Sequence, residues 1–400
     1  MNFSNKINTR LLMAGILALI FWNAFWPNAS DYFNFMNQSW SIQNIDFYAY
    51  YRGGRAFLSG IQPYTGTSDG QPFIYPPTFI PVYAQIAKLD YQVARVLWSG
   101  IYSGCFLACL LLLVLKVDPP DRDKLIFITL LIALLSFPLR IYIRQGQIDL
   151  IVASFCFASI LLYLFKHHNW SALSLAVAVL IKLNPVLFMI TFFVFLQDWK
   201  YLLRFSIAVA GLVIISLFFF PLDWYRAFFT DILPGLTTGD THPYNQSLIR
   251  FFITNPTLAR LVTVAGLGGF TLAAGWLGFR HREQTALLRN GKLTPFNQFL
   301  AVSIFFCNGL VSALFSGSTW IMTYTWFILP AAWVLLLAYR QARPWLVGSL
   351  ALGVAMLHAL VISDPGVKYI SIEGAVLCLV SLLVAFYFPR LAFSQSAEHA

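Results

Sequence analysis

Charge is what this sequence has least of. Asp, Glu, Lys and Arg make up 10% of its 400 residues, against roughly 25% in a soluble globular domain. That shortage excludes an ordinary water-soluble fold. Cysteine is sparse too. The five, Cys105, Cys109, Cys156, Cys307 and Cys378, stand inside apolar runs with no CxxC pair or histidine-rich ligand spacing. The pattern gives neither a disulfide framework nor a metal centre, and no cofactor is expected. No low-complexity tract or obvious short-period repeat is present. The net charge of +10 is spread along the chain rather than clustered, which argues against a nucleic-acid partner. Its simplest work is to hold loops on the cytoplasmic side of a membrane.

Apolar side chains, by contrast, are 59% of the chain, and mean hydropathy is +0.71. The 38 Phe, 18 Tyr and 12 Trp suit a protein solvated by membrane lipids, with aromatic belts at both interfaces. A helix crosses the hydrocarbon in about 20 residues, fewer where neighbours shelter it. Apolar runs at 11–27, 96–115, 125–138, 147–165, 170–183, 184–197, 203–221, 257–279, 295–314, 321–339, 345–362 and 370–388 predict an all-α polytopic bundle of about twelve spans. Lys6 and Arg10 precede the first run, and no small-x-small site follows it, so it is expected as an uncleaved span. Lys182-Leu-Asn-Pro185 breaks the run at 170–197, because proline ends or kinks a helix. Two short helices or a re-entrant hairpin are expected there.

The distribution of Lys and Arg places both termini in the cytoplasm, as for a prokaryotic inner membrane. The chain reads as one polytopic domain, 1–400, with two long outer segments, 28–95 and 222–256. Ile45–Leu58 and Thr78–Leu89 are amphipathic. They are expected as helices lying on the outer surface, aromatic faces toward the lipid.

Seven bases, Arg52, Arg55, Arg140, Arg144, Lys182, Arg226 and Arg250, then map to the outer face, where the topology rule disfavours them. Either they snorkel to headgroups or they hold an anion. The densest group is Arg140-Ile-Tyr-Ile-Arg144-Gln-Gly-Gln-Ile-Asp149. Guanidinium suits phosphate through paired, charge-assisted hydrogen bonds, so Arg52, Arg140, Arg144 and Lys182 are candidate phosphate ligands. Asp46 opens a helical stretch, with Tyr50 at i+4 and Gly53 at i+7 giving a face of acid, phenol and bare backbone, expected to let a sugar or lipid phosphate approach closely. It is either a helix cap or a general base. Asp149 reads as a partner for Arg140 or Arg144, since ionisable groups at membrane depth turn inward. In Asp240-Thr-His-Pro-Tyr-Asn-Gln-Ser-Leu-Ile-Arg250, His242 is an acid–base or phosphate-donor candidate, while Asn245 and Gln246 are candidate sugar or phosphate readers. Trp320, in Ser316-Gly-Ser-Thr-Trp320, is placed to stack on a sugar or to sit in the aromatic belt.

Several of these residues form an ordered series: Asp46-Phe-x-x-Tyr-Tyr, Gly60-x-x-Pro-Tyr64, Tyr75-Pro-Pro77, Trp98, Gly146-Gln147, Lys182-x-x-Pro185 and Asn245-Gln-Ser247. The series resembles glycosyltransferase family 87, which is similar in architecture to other GT-C membrane glycosyltransferases. The resemblance implies transfer of a sugar, mannose or another hexose or pentose, from a polyprenyl-monophosphate donor to a lipid or glycan acceptor outside the membrane. It implies inversion without a metal, with Asp46 as base. Tyr50, Tyr51, Tyr64, Tyr75, Gln147, Asp149, Asn245 and Trp320 become the candidate substrate-binding residues. Two positions depart from the family: Asp149 stands where Asn is common, and Ser316 to Tyr324 lacks the late Asp and His. His242 or Arg144 is left to serve that histidine's role toward the donor phosphate. A lipid-linked sugar flippase and a non-catalytic subunit of an envelope-assembly complex stay open as rival readings. The concentration of polar groups toward one face favours the enzyme.

Overall fold

The computed structural model describes residues 45–64, 73–237, 245–252, 255–316, 319–358 and 370–388. The apolar run at 11–27 lies outside them. Among the described residues every regular element is helical, and an isolated β-bridge joins Asn245 to Trp320. The chain runs through α1 (Ile45–Leu58), a 3-10 turn (Pro77–Phe79), α2 (Ile80–Ala87), α3 (Tyr91–Lys116), α4 (Pro119–Leu135) and α5 (Phe137–Gln145). It continues through α6 (Asp149–Leu164), α7 (His168–Ile181), a 3-10 segment (Asn184–Phe188), a π-helical segment (Ile190–Phe195) and α8 (Trp199–Ser216). Short helical turns between Asp223 and Phe252 lead to α9 (Pro256–Arg280), α10 (Arg282–Arg289) and α11 (Pro295–Phe315). A 3-10 segment (Ile321–Phe327), α12 (Ile328–Gln341), α13 (Pro344–Leu357) and α14 (Ile370–Tyr387) complete it.

The starts of these helices are written locally. Pro119, Pro256, Pro295 and Pro344 occupy first turns, where the missing N–H costs nothing. Asp90, Ser136 and Asn255 cap α3, α5 and α9 by accepting from backbone N–H groups, and Thr294 forms a reciprocal capping box with Asn297. Ser136 and Pro138 also turn α5 away from α4 by 66°, because proline cannot extend the preceding hydrogen-bond ladder.

The expected apolar runs within the described residues all become helical elements. By length and composition, five are full-length crossings: α3, α8, Thr257–Arg280, α11 and Met322–Gln341, or six if the bent α4–α5 pair counts as one. Asp149–Leu164, His168–Ile181, Asn184–Phe195, Pro344–Leu357 and Ile372–Tyr387 are apolar but shorter. Burial sorts the long ones. The apolar windows of α11 and Met322–Gln341 are 89% and 94% buried, whereas those of α8 and Thr257–Arg280 are 17% buried. The former make a central pillar. The latter expose rows such as Leu203, Ile207, Ile214 and Leu261, Val264, Leu272, a surface suited to lipid rather than water. The chain is an integral membrane protein.

One expectation is corrected. The aromatic face of α1 turns into the protein, because Phe47 and Tyr50 find partners in Trp98, Tyr83 and Tyr75. At Lys182–Pro185 the run breaks into two short helical pieces, α7 and Asn184–Phe195, the second of them 3-10 and then π-helical.

Candidate active site

Helix α1 is clamped before its first turn is considered. Tyr50 packs between the rings of Trp98 and Tyr75, at centroid distances of 5.4 and 5.0 Å. A Cβ on Gly54 would stand 2.6 Å from the Tyr83 carbonyl oxygen, so bare backbone lets α1 press against α2. Gly53, expected to leave room for substrate, is instead filled: a Cβ there would meet the Phe73 ring at 2.7 Å. The phenols are fixed as well. Tyr50 donates to the Tyr75 hydroxyl at 2.9 Å, Tyr64 to the Tyr75 carbonyl at 2.7 Å, and Tyr51 to the Leu89 carbonyl at 2.9 Å. Burial pushes the Tyr50 and Tyr75 phenols far above their ordinary range, so they serve as neutral groups. Asp46, second residue of this clamped helix, is thereby held at the rim of an aromatic wall.

The facing wall is a turn. Helix α5 ends on Gly146 in the left-handed region, with φ 65°, a conformation glycine adopts without strain. Trp98 Nε1 donates to the Gly146 carbonyl at 2.8 Å, so one tryptophan braces both α1 and the turn. Gln147 follows and is 6% exposed. Its Nε2 donates to Asp46 Oδ2 at 2.6 Å, joining side chains 101 residues apart in sequence.

Asp149 begins α6, where the positive end of the helix dipole favours an anion. It is 1% exposed. Its Oδ1 accepts from Lys182 Nζ at 2.8 Å and from Trp326 Nε1 at 2.9 Å. The ammonium also lies 5.9 Å from the Trp326 ring centroid. Lys182 arrives there because α7 packs against α6 and ends beside α6's beginning. A lysine 33 residues away thus partners Asp149; the side chains of Arg140 and Arg144, the expected partners, lie outside what the structure describes.

Asp46 feels this arrangement. Loss of water on burial pushes its carboxyl up to about 7. The charge on Asp149 adds to that rise, while the Gln147 hydrogen bond and Lys182 oppose it. Burial wins because one amide N–H and a lysine already paired elsewhere replace only part of the lost hydration.

Arg140 and Arg144 lie one turn apart on α5, which packs, as α6 does, on the 3-10 segment carrying Trp326. Arg52 sets its guanidinium 5.5 Å from the Tyr48 ring, and its Nη1 is buried with no acceptor among the described residues. His242 lies outside the described residues. Asn245 is fully buried, and its Oδ1 accepts from the N–H groups of Thr319 and Ser247 at 2.9 and 3.0 Å. That oxygen ties the two polar loops together. Ser247 strengthens the tie through the Leu314 and Ser316 carbonyls. Trp320 is half-buried and bridged by its backbone to Asn245. Gln246 is buried, and its Oε1 has no hydrogen-bond partner among the described residues. Trp326 was not foreseen. Its one signal is its place six residues after Trp320, in a run where aromatic residues are too common to stand out.

An apolar-clad helical bundle with carboxylates and a lysine gathered at one corner defines a membrane protein built around a polar site. A model of glycosyltransferase family 87 matches residues 73–296, more than half of the chain. The chain belongs to that family, and it is a membrane glycosyltransferase. The match spans Gln147, Asp149, Lys182 and Asn245 and begins after α1. Among solved structures the chain is similar to ArnT from Cupriavidus metallidurans in the apo state. Identity is 14% over 96% of this chain and 78% of that one, with a TM-score of 0.37. No curated protein matches it.

Proposed function

We propose that this protein moves a sugar from a polyprenyl-monophosphate donor to an acceptor hydroxyl at the outer face of the membrane, with both termini cytoplasmic. Asp46 acts as general base. It removes the proton from the acceptor hydroxyl as that oxygen forms a bond to the anomeric carbon. The bond from that carbon to the phosphate oxygen breaks on the opposite side, and the electron pair leaves with the polyprenyl phosphate. The product linkage is inverted.

One observation carries the reading. Asp46 is a carboxylate whose described side-chain hydrogen bond is a single neutral amide donor, and whose protonation is poised at about 7. A base is most useful with its pKa near the working pH. Lys182, steadied by Asp149 and Trp326, supplies a fixed positive charge close enough to act on Asp46. It would hold the leaving phosphate, with Arg140 and Arg144 on α5, Arg52 and His242 as further ligands. Stabilising a departing anion by preset charges is commonly the largest catalytic term. Tyr51, Tyr64 and Trp320 would line the sugar path, with Tyr50 and Tyr75 behind them.

The test is transfer of labelled sugar from a polyprenyl-phosphate hexose by purified protein in proteoliposomes. Wild type is expected to release polyprenyl phosphate and form a glycoside, and Asp46→Asn to do neither while still inserting and folding. Movement of the intact donor between leaflets with no bond cleaved would identify a flippase and end the proposal.

A further inference from the structure

Lys182 and Trp326 both reach Asp149 from irregular backbone. Lys182 stands at the end of α7, just before the 3-10 segment Asn184–Phe188, and Trp326 lies within the 3-10 segment Ile321–Phe327. Such backbone has poorer hydrogen-bond geometry than an α-helix, so its neighbours must hold it in place. Helix α11 packs against Asn184–Phe188, Ile190–Phe195 and Ile321–Phe327, and two consecutive residues in it make the closest contacts. Asn308, 1% exposed, donates from Nδ2 to the Leu187 carbonyl at 2.6 Å and to Thr191 Oγ1 at 3.5 Å. One amide thus pins the 3-10 and π-helical pieces across their junction. Gly309 supplies bare backbone: a Cβ there would stand 2.6 Å from the Phe327 ring and 3.2 Å from the Phe188 ring. Phe188 in turn has its ring centroid 6.2 Å from that of Trp326. The two irregular pieces therefore meet each other over this glycine.

Resting on the assignment of Lys182 to the donor phosphate, we propose that Asn308 and Gly309 are positioning residues that set the Asp149–Lys182–Trp326 group and, through it, affinity for the polyprenyl phosphate. They act through the segments they hold, not on the substrate. Carbon atoms rest about 3.5–4.0 Å apart, so a methyl on Gly309 must drive the Phe327 ring back by about 1 Å. The preceding residue is Trp326, whose 2.9 Å bond to Asp149 would be stretched out of range. Asn308→Leu keeps the volume and removes the amide, releasing the chain five residues beyond Lys182. A close-packed interior transmits such shifts instead of absorbing them.

The experiment uses full-length protein in lipid nanodiscs, titrated with decaprenyl phosphate and with decaprenol, which has the same tail and no charge. Wild type is expected to prefer the phosphate by roughly tenfold or more, and Lys182→Met to lose most of that preference. Asn308→Leu and Gly309→Ala should each lose about fivefold of it while binding decaprenol as wild type does. Gly309→Ala/Phe327→Leu, which restores room for the methyl, should recover it. If Gly309→Ala does not fold, Asn308→Leu and the double variant still decide. Loosening of the whole bundle would weaken both ligands alike, and that result overturns the inference. So does full preference in folded Asn308→Leu and Gly309→Ala when Lys182→Met has lost it; Lys182 then keeps its phosphate. If Lys182→Met itself keeps the preference, the phosphate assignment falls and thermal melts decide the positioning. Asn308→Leu combined with Lys182→Met should then lower Tm by less than the two singles together, and strict additivity overturns the inference.

Discussion

Asp46 and Asp149 both sit in the first turn of a helix, at the same corner of the bundle, and receive opposite treatment. Asp149 is 1% exposed, yet it is supplied with a lysine and an indole N–H. Asp46 is less buried, yet it is given a single amide. The difference shows how one fold makes two carboxylates do different work. A paired carboxylate is a fixed charge that holds a cation in place. One left short of donors keeps a proton within reach of neutral pH and can exchange it with a substrate.

The sharpest way to break this contrast is Asp46→Asn. General-base loss commonly removes 10²–10⁴ of rate, so kcat in the proteoliposome assay should fall by about a thousandfold. Asp149→Asn should leave measurable transfer. In the wild type, kcat/KM should rise with pH and level off above about 7, where Asp46 is ionised.

The next effect is on stability, and its sign follows from the same carboxyl. Its pKa is raised on folding, from 3.8 to about 7, so the folded chain holds a proton that the unfolded chain has released. The stability contributed by this carboxyl is therefore fully present below about 4 and is lost as pH rises to about 7. The loss is up to about 4 kcal/mol, at 1.36 kcal/mol per pH unit. Thermal melts of wild type and Asp46→Asn across that window should converge at the acid end and separate at the alkaline end, the variant being the more stable.

Smaller still is the ion pair. Lys182→Met strands a buried carboxylate and should lower stability by about 2–3 kcal/mol, under the full value for a buried pair because the lysine keeps some water. Adding Asp149→Asn should recover part of that loss in a double-mutant cycle; strict additivity would show that the pair is not coupled. Least of all, Trp326→Phe keeps a ring but removes one donor to a charged acceptor. About 1.5 kcal/mol should be lost from the melt, with phosphate affinity weakened more than kcat.

Much of this corner was legible in the sequence, for reasons that differ by residue. Apolar runs, proline starts and polar caps are local signals, so the helices could be read off directly. Asp46, Gln147, Asp149 and Lys182 stood out because polar groups are rare in so apolar a chain. Their pairing did not. Lys182 was not foreseen as a partner of Asp149, since sequence distance says nothing about α7 returning Lys182 to the start of α6. Gly53 looked like space for a ligand until Phe73, 20 residues on, proved to occupy it. Trp326 was hidden by its own company, as one ring among the many aromatic residues.

The seven residues Ile321–Phe327 lie against α5 and α6, carry the indole that meets Asp149, and hold the Tyr324 hydroxyl 3.3 Å from the Gln246 carbonyl. Tags and inserted segments can then be fitted around the lipid-facing helices with little penalty, but not here. Lengthening this stretch by even one residue would displace the indole that steadies Asp149 and the clasp between the polar loops in the same stroke.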